Sequence, residues 1–133
     1  MFGTAGARRG RRGAKVRGVS SECLFCRIVA GVVPATVVHE TETVLAFRDI
    51  SPQAPTHVLV IPKEHYVDAA TMANADPALA GDVLATAGEV AKISGVDASG
   101  YRLVFNTGAD ATQTVFHVHC HLIGGRAMTW PPG

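Results

Sequence analysis

The stretch that decides the fold is His117-Val118-His119-Cys120-His121-Leu122, three histidines alternating with three apolar residues. Side chains of a β-strand alternate between faces with a period of two. Read as a strand, the stretch puts His117, His119 and His121 on one face and Val118, Cys120 and Leu122 on the other. The apolar row is buried in a core, and the other row presents imidazoles to a cleft. Half of the chain's six histidines stand within these five positions. An ordinary polar row carries Thr, Lys or Glu. Three imidazoles together point to metal ligation, phosphate binding or nucleophilic chemistry.

Outward from this stretch, Gly124-Gly125 ends the strand, and a tail from Arg126 to Gly133 carries the only tryptophan, Trp130, before Pro131-Pro132. Upstream, a polar loop from Thr107 to Thr114 follows a strand expected over Tyr101 to Asn106. The main helix is expected over Pro77 to Ser94. Asp76 caps it, Pro77 occupies its first turn and Gly95 stops it. Leu79, Val83, Ala87 and Val90 recur along it at helical spacing, opposite Asp82, Glu89 and Lys92. A weaker helix is expected over Val67 to Ala73. Three further strands are expected over Thr36 to His39, Val44 to Ile50 and His57 to Pro62, the first two joined by a turn at Glu40 to Thr43. Pro52 and Pro55 stiffen the loop Asp49-Ile50-Ser51-Pro52-Gln53-Ala54-Pro55. Leu24 to Ala30 reads as a short helix stopped by Gly31. These elements describe an α+β domain, a mostly antiparallel sheet of about five strands with two helices packed on it.

The chain has 133 residues, 47% of them hydrophobic and 17% charged, which suits one compact domain. Six of its twelve basic residues, Arg8, Arg9, Arg11, Arg12, Lys15 and Arg17, stand in residues 1–21 with no acid. The rest holds six basic residues against eleven acidic ones, a net charge of −5, so nucleic acid is not an expected partner. Residues 1–21 are expected to be a disordered basic extension, with the folded domain over 22–133. The paired arginines resemble an export signal and the acid-poor composition a transit peptide; a later translation start is a third reading. The apolar run that follows is broken by Arg27 and Pro34, and no stretch is long enough to span a membrane, so the expected location is cytoplasmic.

Cys23-Leu24-Phe25-Cys26 is a CxxC pair open to three readings: zinc, a redox couple or a disulfide. Zinc needs two more ligands, and His65 and His117 are available at the ends of expected neighbouring strands. Cys120 is expected to be buried packing, and His39 to lie at the surface.

The ordered set DISPQAPTH, LVIPKEH, GYRLVFN, QTVFHVHCHLIGGR and WPPG, spanning residues 22–133, resembles the histidine-triad (HIT) family of nucleotidyl hydrolases and transferases. GGR and WPPG are similar to the Hint-type branch, the purine nucleoside phosphoramidases. The resemblance implies a HIT-like fold with the sheets of two subunits joined in a homodimer. It implies hydrolysis of AMP–N conjugates through a covalent nucleotidyl-histidine at His119, with His121 and His57 donating hydrogen bonds to phosphate oxygens and no catalytic metal required. It implies structural zinc on Cys23, Cys26, His65 and His117. Asp49 is a candidate for the ribose hydroxyls, Ile50 and Phe47 for the purine, and Asn106 for the phosphate end. Thr114 stands where the Hint-type branch usually has a serine that contacts the phosphate or leaving group, and that branch tends to have glycines at Ala111 and Thr112. Gln113-Thr114-Val115 instead resembles the Fhit-type branch, which makes dinucleoside polyphosphate hydrolysis the alternative, with Gln113 in the nucleotide site. A zinc-bearing nucleotide-binding module with incidental hydrolysis is the other alternative. The tail with Trp130 is expected to reach the leaving-group side of a partner subunit's site, or else to staple to its own subunit. Thr129 replaces a histidine frequent in that branch.

Overall fold

The computed structural model describes residues 22–133. The extension over 1–21, and the disorder expected of it, lie outside the described residues. Five strands, β1 (Val37–Glu40), β2 (Val44–Arg48), β3 (Thr56–Pro62), β4 (Tyr101–Phe105) and β5 (Cys120–Gly124), form one sheet in the order β1-β2-β3-β5-β4. Every neighbouring pair is antiparallel. Three helices accompany it: α1 (Leu24–Val29), α2 (Ala69–Ala75) and α3 (Pro77–Ile93).

The period-two alternation of the strands divides the core in two. On one face Val44 and Ala46 of β2, Val58 and Val60 of β3, and Cys120 and Leu122 of β5 pack under Leu79, Val83, Ala87 and Val90 of α3 and Met72 of α2. The apolar face of α3 is therefore met by its own sheet, without need of a second subunit. On the other face Leu45, Phe47, Leu59 and Ile61 pack under Phe25, Ile28 and Val29 of α1. A helix of six residues covers only part of that face. The part it leaves open carries the histidines.

Local chemistry sets the boundaries. Asp76 accepts a hydrogen bond from Leu79 N–H at 3.1 Å and Pro77 opens α3. Asp68 caps α2 by accepting from Thr71 N–H at 2.9 Å, so this helix starts at Ala69, later than its apolar pattern suggests. Strand β5 starts at Cys120, not His117. Residues 117–119 are outside the ladder: Val118 N–H donates to the Tyr66 carbonyl at 2.7 Å, and the fully buried His117 ring bonds the Pro62 carbonyl at 2.9 Å within a Cys/His cluster. The alternation nevertheless persists: Val118, Cys120 and Leu122 all join the α3-side core. Among the described residues no helix is long and apolar enough to cross a membrane.

Candidate active site and metal centre

On the α1 side of the sheet lies a cleft of about 760 Å³, lined by Phe47, Asp49, Ile50, Thr114, His119 and His121 and walled by Leu24, Phe25 and Ile28 of α1. This is the size range of a small-ligand site. Ile50 is 99% exposed at its rim, whereas Phe47 is buried, so that Phe47 serves both the core and the cleft floor.

Hydrogen-bond partners fix which ring nitrogen carries a proton in each histidine. His119 Nδ1–H donates to the His117 carbonyl at 2.8 Å, which leaves Nε2 with the lone pair. Gln53 N–H donates to His57 Nδ1 at 3.0 Å, so the proton of neutral His57 is on Nε2. That Nε2–H donates to His121 Nδ1 at 2.9 Å, which puts the proton of His121 on its own Nε2. The cross-strand register makes this chain of bonds: His121 lies opposite Leu59, one diagonal step from His57. Burial lowers the pKa of His119, and burial together with the neighbouring His119 and His57 pushes His121 down to about 4. Both rings are therefore neutral at pH 7. The site offers one lone-pair nitrogen beside one N–H donor, with the two rings 5.0 Å apart.

His57 differs from expectation. It is 5% exposed and does not line the cleft, and its single N–H is directed at His121 with the Asp49 carboxylate 3.4 Å away. A neutral imidazole has one donor, so none remains for a phosphate. The other oxygen of Asp49 accepts from Ser51 N–H at 2.7 Å. Gln113 also differs. Its Oε1 accepts from Gly108 N–H at 3.0 Å and its Nε2 donates to the carbonyls of Val67 at 2.8 Å and Val115 at 3.2 Å. The amide clamps the loop and does not reach the cleft, which leaves Thr114 as that loop's hydroxyl on the lining. Thr112 has a φ of 62°, the left-handed region where a β-branched residue is strained. This accounts for a preference for glycine there. Asn106 is half-buried just past β4 and outside the lining. Trp130 is 82% exposed, so the indole is not stapled to its own subunit. The tail is fastened before it, where Arg102 donates to the Thr129 carbonyl at 3.0 Å and Arg126 to the Gln53 carbonyl at 3.0 Å.

A second cluster joins Cys23, Cys26, His65 and His117. Cys23 caps α1, its sulfur accepting from Cys26 N–H at 3.4 Å. His117 Nε2–H donates to the Pro62 carbonyl at 2.9 Å, which aims the lone pair of Nδ1 at the cysteines. Burial pushes the His117 pKa down to about 4 and keeps that lone pair free of a proton. The ligand atoms stand 3.4 Å (Cys23 Sγ to His117 Nδ1), 3.4 Å (Cys26 Sγ to His65 Nδ1), 3.5 Å (Cys26 Sγ to His117 Nδ1) and 3.2 Å (His65 Nδ1 to His117 Nδ1) apart. Tetrahedral zinc, with sulfur at about 2.3 Å and nitrogen at about 2.0–2.1 Å, separates sulfur from nitrogen by about 3.6 Å and nitrogen from nitrogen by about 3.3 Å. The residues fit the ion. None of the three cysteines is in a disulfide, so the CxxC pair is not one, and Cys120 is buried with its thiol pushed up to about 12 by desolvation.

The α1 residues Leu24, Phe25 and Ile28 were not legible as cleft wall. Their signal was the apolar spacing inside the CxxC helix, which reads equally as core.

A family model described as the HIT domain matches residues 30–128. A 14 kDa zinc-binding protein of Zea mays is 47% identical over 115 residues, which span 85% of this chain and 89% of the relative. Among solved structures, a HIT family hydrolase from Legionella pneumophila Philadelphia 1 superposes with a TM-score of 0.80 at 51% identity, covering 84% of this chain and 99% of that one. A histidine triad nucleotide-binding protein from Candida albicans superposes with a TM-score of 0.72 at 32% identity, covering 82% of each chain.

Proposed function

The chain belongs to the HIT domain family, and on that premise we propose that it hydrolyses purine nucleoside phosphoramidates of the AMP–N type, as in the Hint-type branch. The observation that carries the reading is the tautomer pair in the cleft: His119 Nε2 with a lone pair and His121 Nε2 with a proton. His119 Nε2 attacks the α-phosphorus, a P–N bond to histidine forms, and the original P–N bond breaks as the amine takes up a proton from solvent. Water then cleaves the nucleotidyl-histidine to release AMP and restore the free ring. Negative charge builds on the phosphate oxygens in each transition state, and His121 Nε2–H is the donor aimed at it. His57 holds His121 in the donating tautomer, a positioning role. Thr114 supplies a hydroxyl near the leaving group. The Asp49 carboxylate keeps lone pairs for the ribose diol beside its existing bonds, and Ile50 and Phe47 give apolar contact to the base. Zinc on Cys23, Cys26, His65 and His117 would tie α1 to the approach of β5, a structural role.

The homodimer belongs to the same proposal. β4 is a sheet edge, its Tyr101 and the tail's Trp130 are exposed, and an edge of this kind favours pairing with a second copy.

A side-by-side assay of an adenosine phosphoramidate and a diadenosine polyphosphate tests the reading. Faster turnover of the phosphoramidate supports it. Preference for the polyphosphate favours the Fhit-type alternative, against which the internal use of the Gln113 amide speaks. Tight AMP binding with negligible turnover of either substrate favours the zinc-bearing binding module, the reading that the name of the maize relative suits.

A further inference from the structure

Helix α1 has two working faces. Cys23 and Cys26 turn to the metal cluster, while Leu24, Phe25 and Ile28 form the cleft wall. The buried Phe25 ring meets three others edge-on: His119 at 5.1 Å and 90°, His117 at 5.9 Å and 69°, and Phe47 at 5.5 Å and 76°. One side chain thus touches a metal-cluster histidine, the candidate nucleophile and the cleft floor. His117 supplies a second connection. Its ring enters the cluster, and its carbonyl accepts the His119 Nδ1–H that selects the nucleophile's tautomer. A helix of six residues is too short to hold itself in water. What it touches on its two faces fixes where it sits.

We infer that zinc occupancy and nucleotide binding are thermodynamically linked through Phe25 and His117. The zinc-loaded chain binds AMP more tightly than the zinc-free chain, and AMP in turn tightens zinc. Phe25 is a positioning residue: it carries the placement of α1 to His119 and to the cleft floor. The inference rests on the nucleotide-cleft reading above. Linkage requires the same factor in both directions, and a coupling of this kind amounts to about five-fold or more.

The reciprocal direction can be measured on the intact holoprotein. Zinc affinity is read by equilibrium competition with a chromogenic chelator, with and without saturating AMP, while calorimetry under the same conditions measures AMP binding. The expected result is a zinc affinity raised about five-fold or more by AMP, with Phe25→Leu still binding zinc and losing most of that increase. AMP that binds without changing zinc affinity overturns the linkage and leaves the nucleotide reading standing. Failure of AMP to bind, or of the chain to bind zinc, overturns the linkage as well, the former together with the nucleotide reading. An equal increase in wild type and Phe25→Leu overturns the part given to Phe25 and assigns the coupling to the His117 carbonyl alone.

Discussion

His57 tests whether the cleft works through a chain of imidazoles or through separate contacts. His57→Ala removes the N–H that meets His121 Nδ1 at 2.9 Å and the acceptor of Gln53 N–H at 3.0 Å. Without that donor, His121 is free to carry its proton on either nitrogen and to turn. A hydrogen bond of about 1–1.5 kcal/mol holding the right tautomer is worth about a tenfold loss in kcat. Removing the phosphate donor itself, in His121→Ala, costs about 10²–10³-fold. If His57 acts only through His121, the double variant is no slower than His121→Ala within about twofold. Two independent contacts would instead multiply to about 10³–10⁴-fold. His57→Gln, whose amide can donate again, should recover part of the loss. The orphaned Gln53 N–H and the emptied strand position lower stability by about 1–3 kcal/mol, so steady-state rates are to be taken well below the melting transition. Multiplicative losses in the double variant would refute the relay and return His57 to the phosphate.

Three further outcomes are expected. In Gly124→Ala the added Cβ meets Val96 at 3.0–3.2 Å inside the α3-side core, so the melting temperature should fall by the equivalent of about 1–3 kcal/mol; an unchanged value would mean that Val96 moves freely. His121 binds a proton near 6.5 when unfolded and only near 4 when folded, so the unfolded chain holds more protons between those values. Stability should therefore fall as pH drops through that window, and the acid limb of kcat/KM should lie below 6.5; a limb above 6.5 would contradict a neutral, buried pair. Stripping zinc with a chelator should lower Tm by about 10 °C, given about 2.7 kcal/mol of stabilisation when free zinc is a hundred times its Kd; no change would show that the four ligands hold the fold without it.

Period and capping made much of the fold legible. Val44, Ala46, Val58, Val60, Cys120 and Leu122 alternate into one core, and Asp76-Pro77 announces α3. The HxHxH alternation pointed to the cleft that His119 and His121 line, yet not to the start of β5, because the bonds that hold residues 117 and 118 off the ladder go to Tyr66 and Pro62, more than fifty residues away. The metal set was legible by ligand count and resemblance. The bonding of His57 was not. It depends on a backbone N–H four residues earlier and a ring sixty-four residues later, and only the cross-strand register brings these together. The bonding of the Gln113 amide was not legible for a related reason: its three backbone partners are spread over Val67, Gly108 and Val115.

The central claim is that His119 Nε2 takes the nucleotidyl group. Wild-type protein turning over an adenosine phosphoramidate should be quenched in neutral denaturant, which spares an acid-labile P–N bond, and its intact mass and peptide map read. One AMP on His119 in wild type, none in His119→Ala, and a loss of activity of at least about 10³-fold in that variant are expected. An adduct on another residue, or a His119→Ala chain that keeps more than a small fraction of activity, would contradict the account.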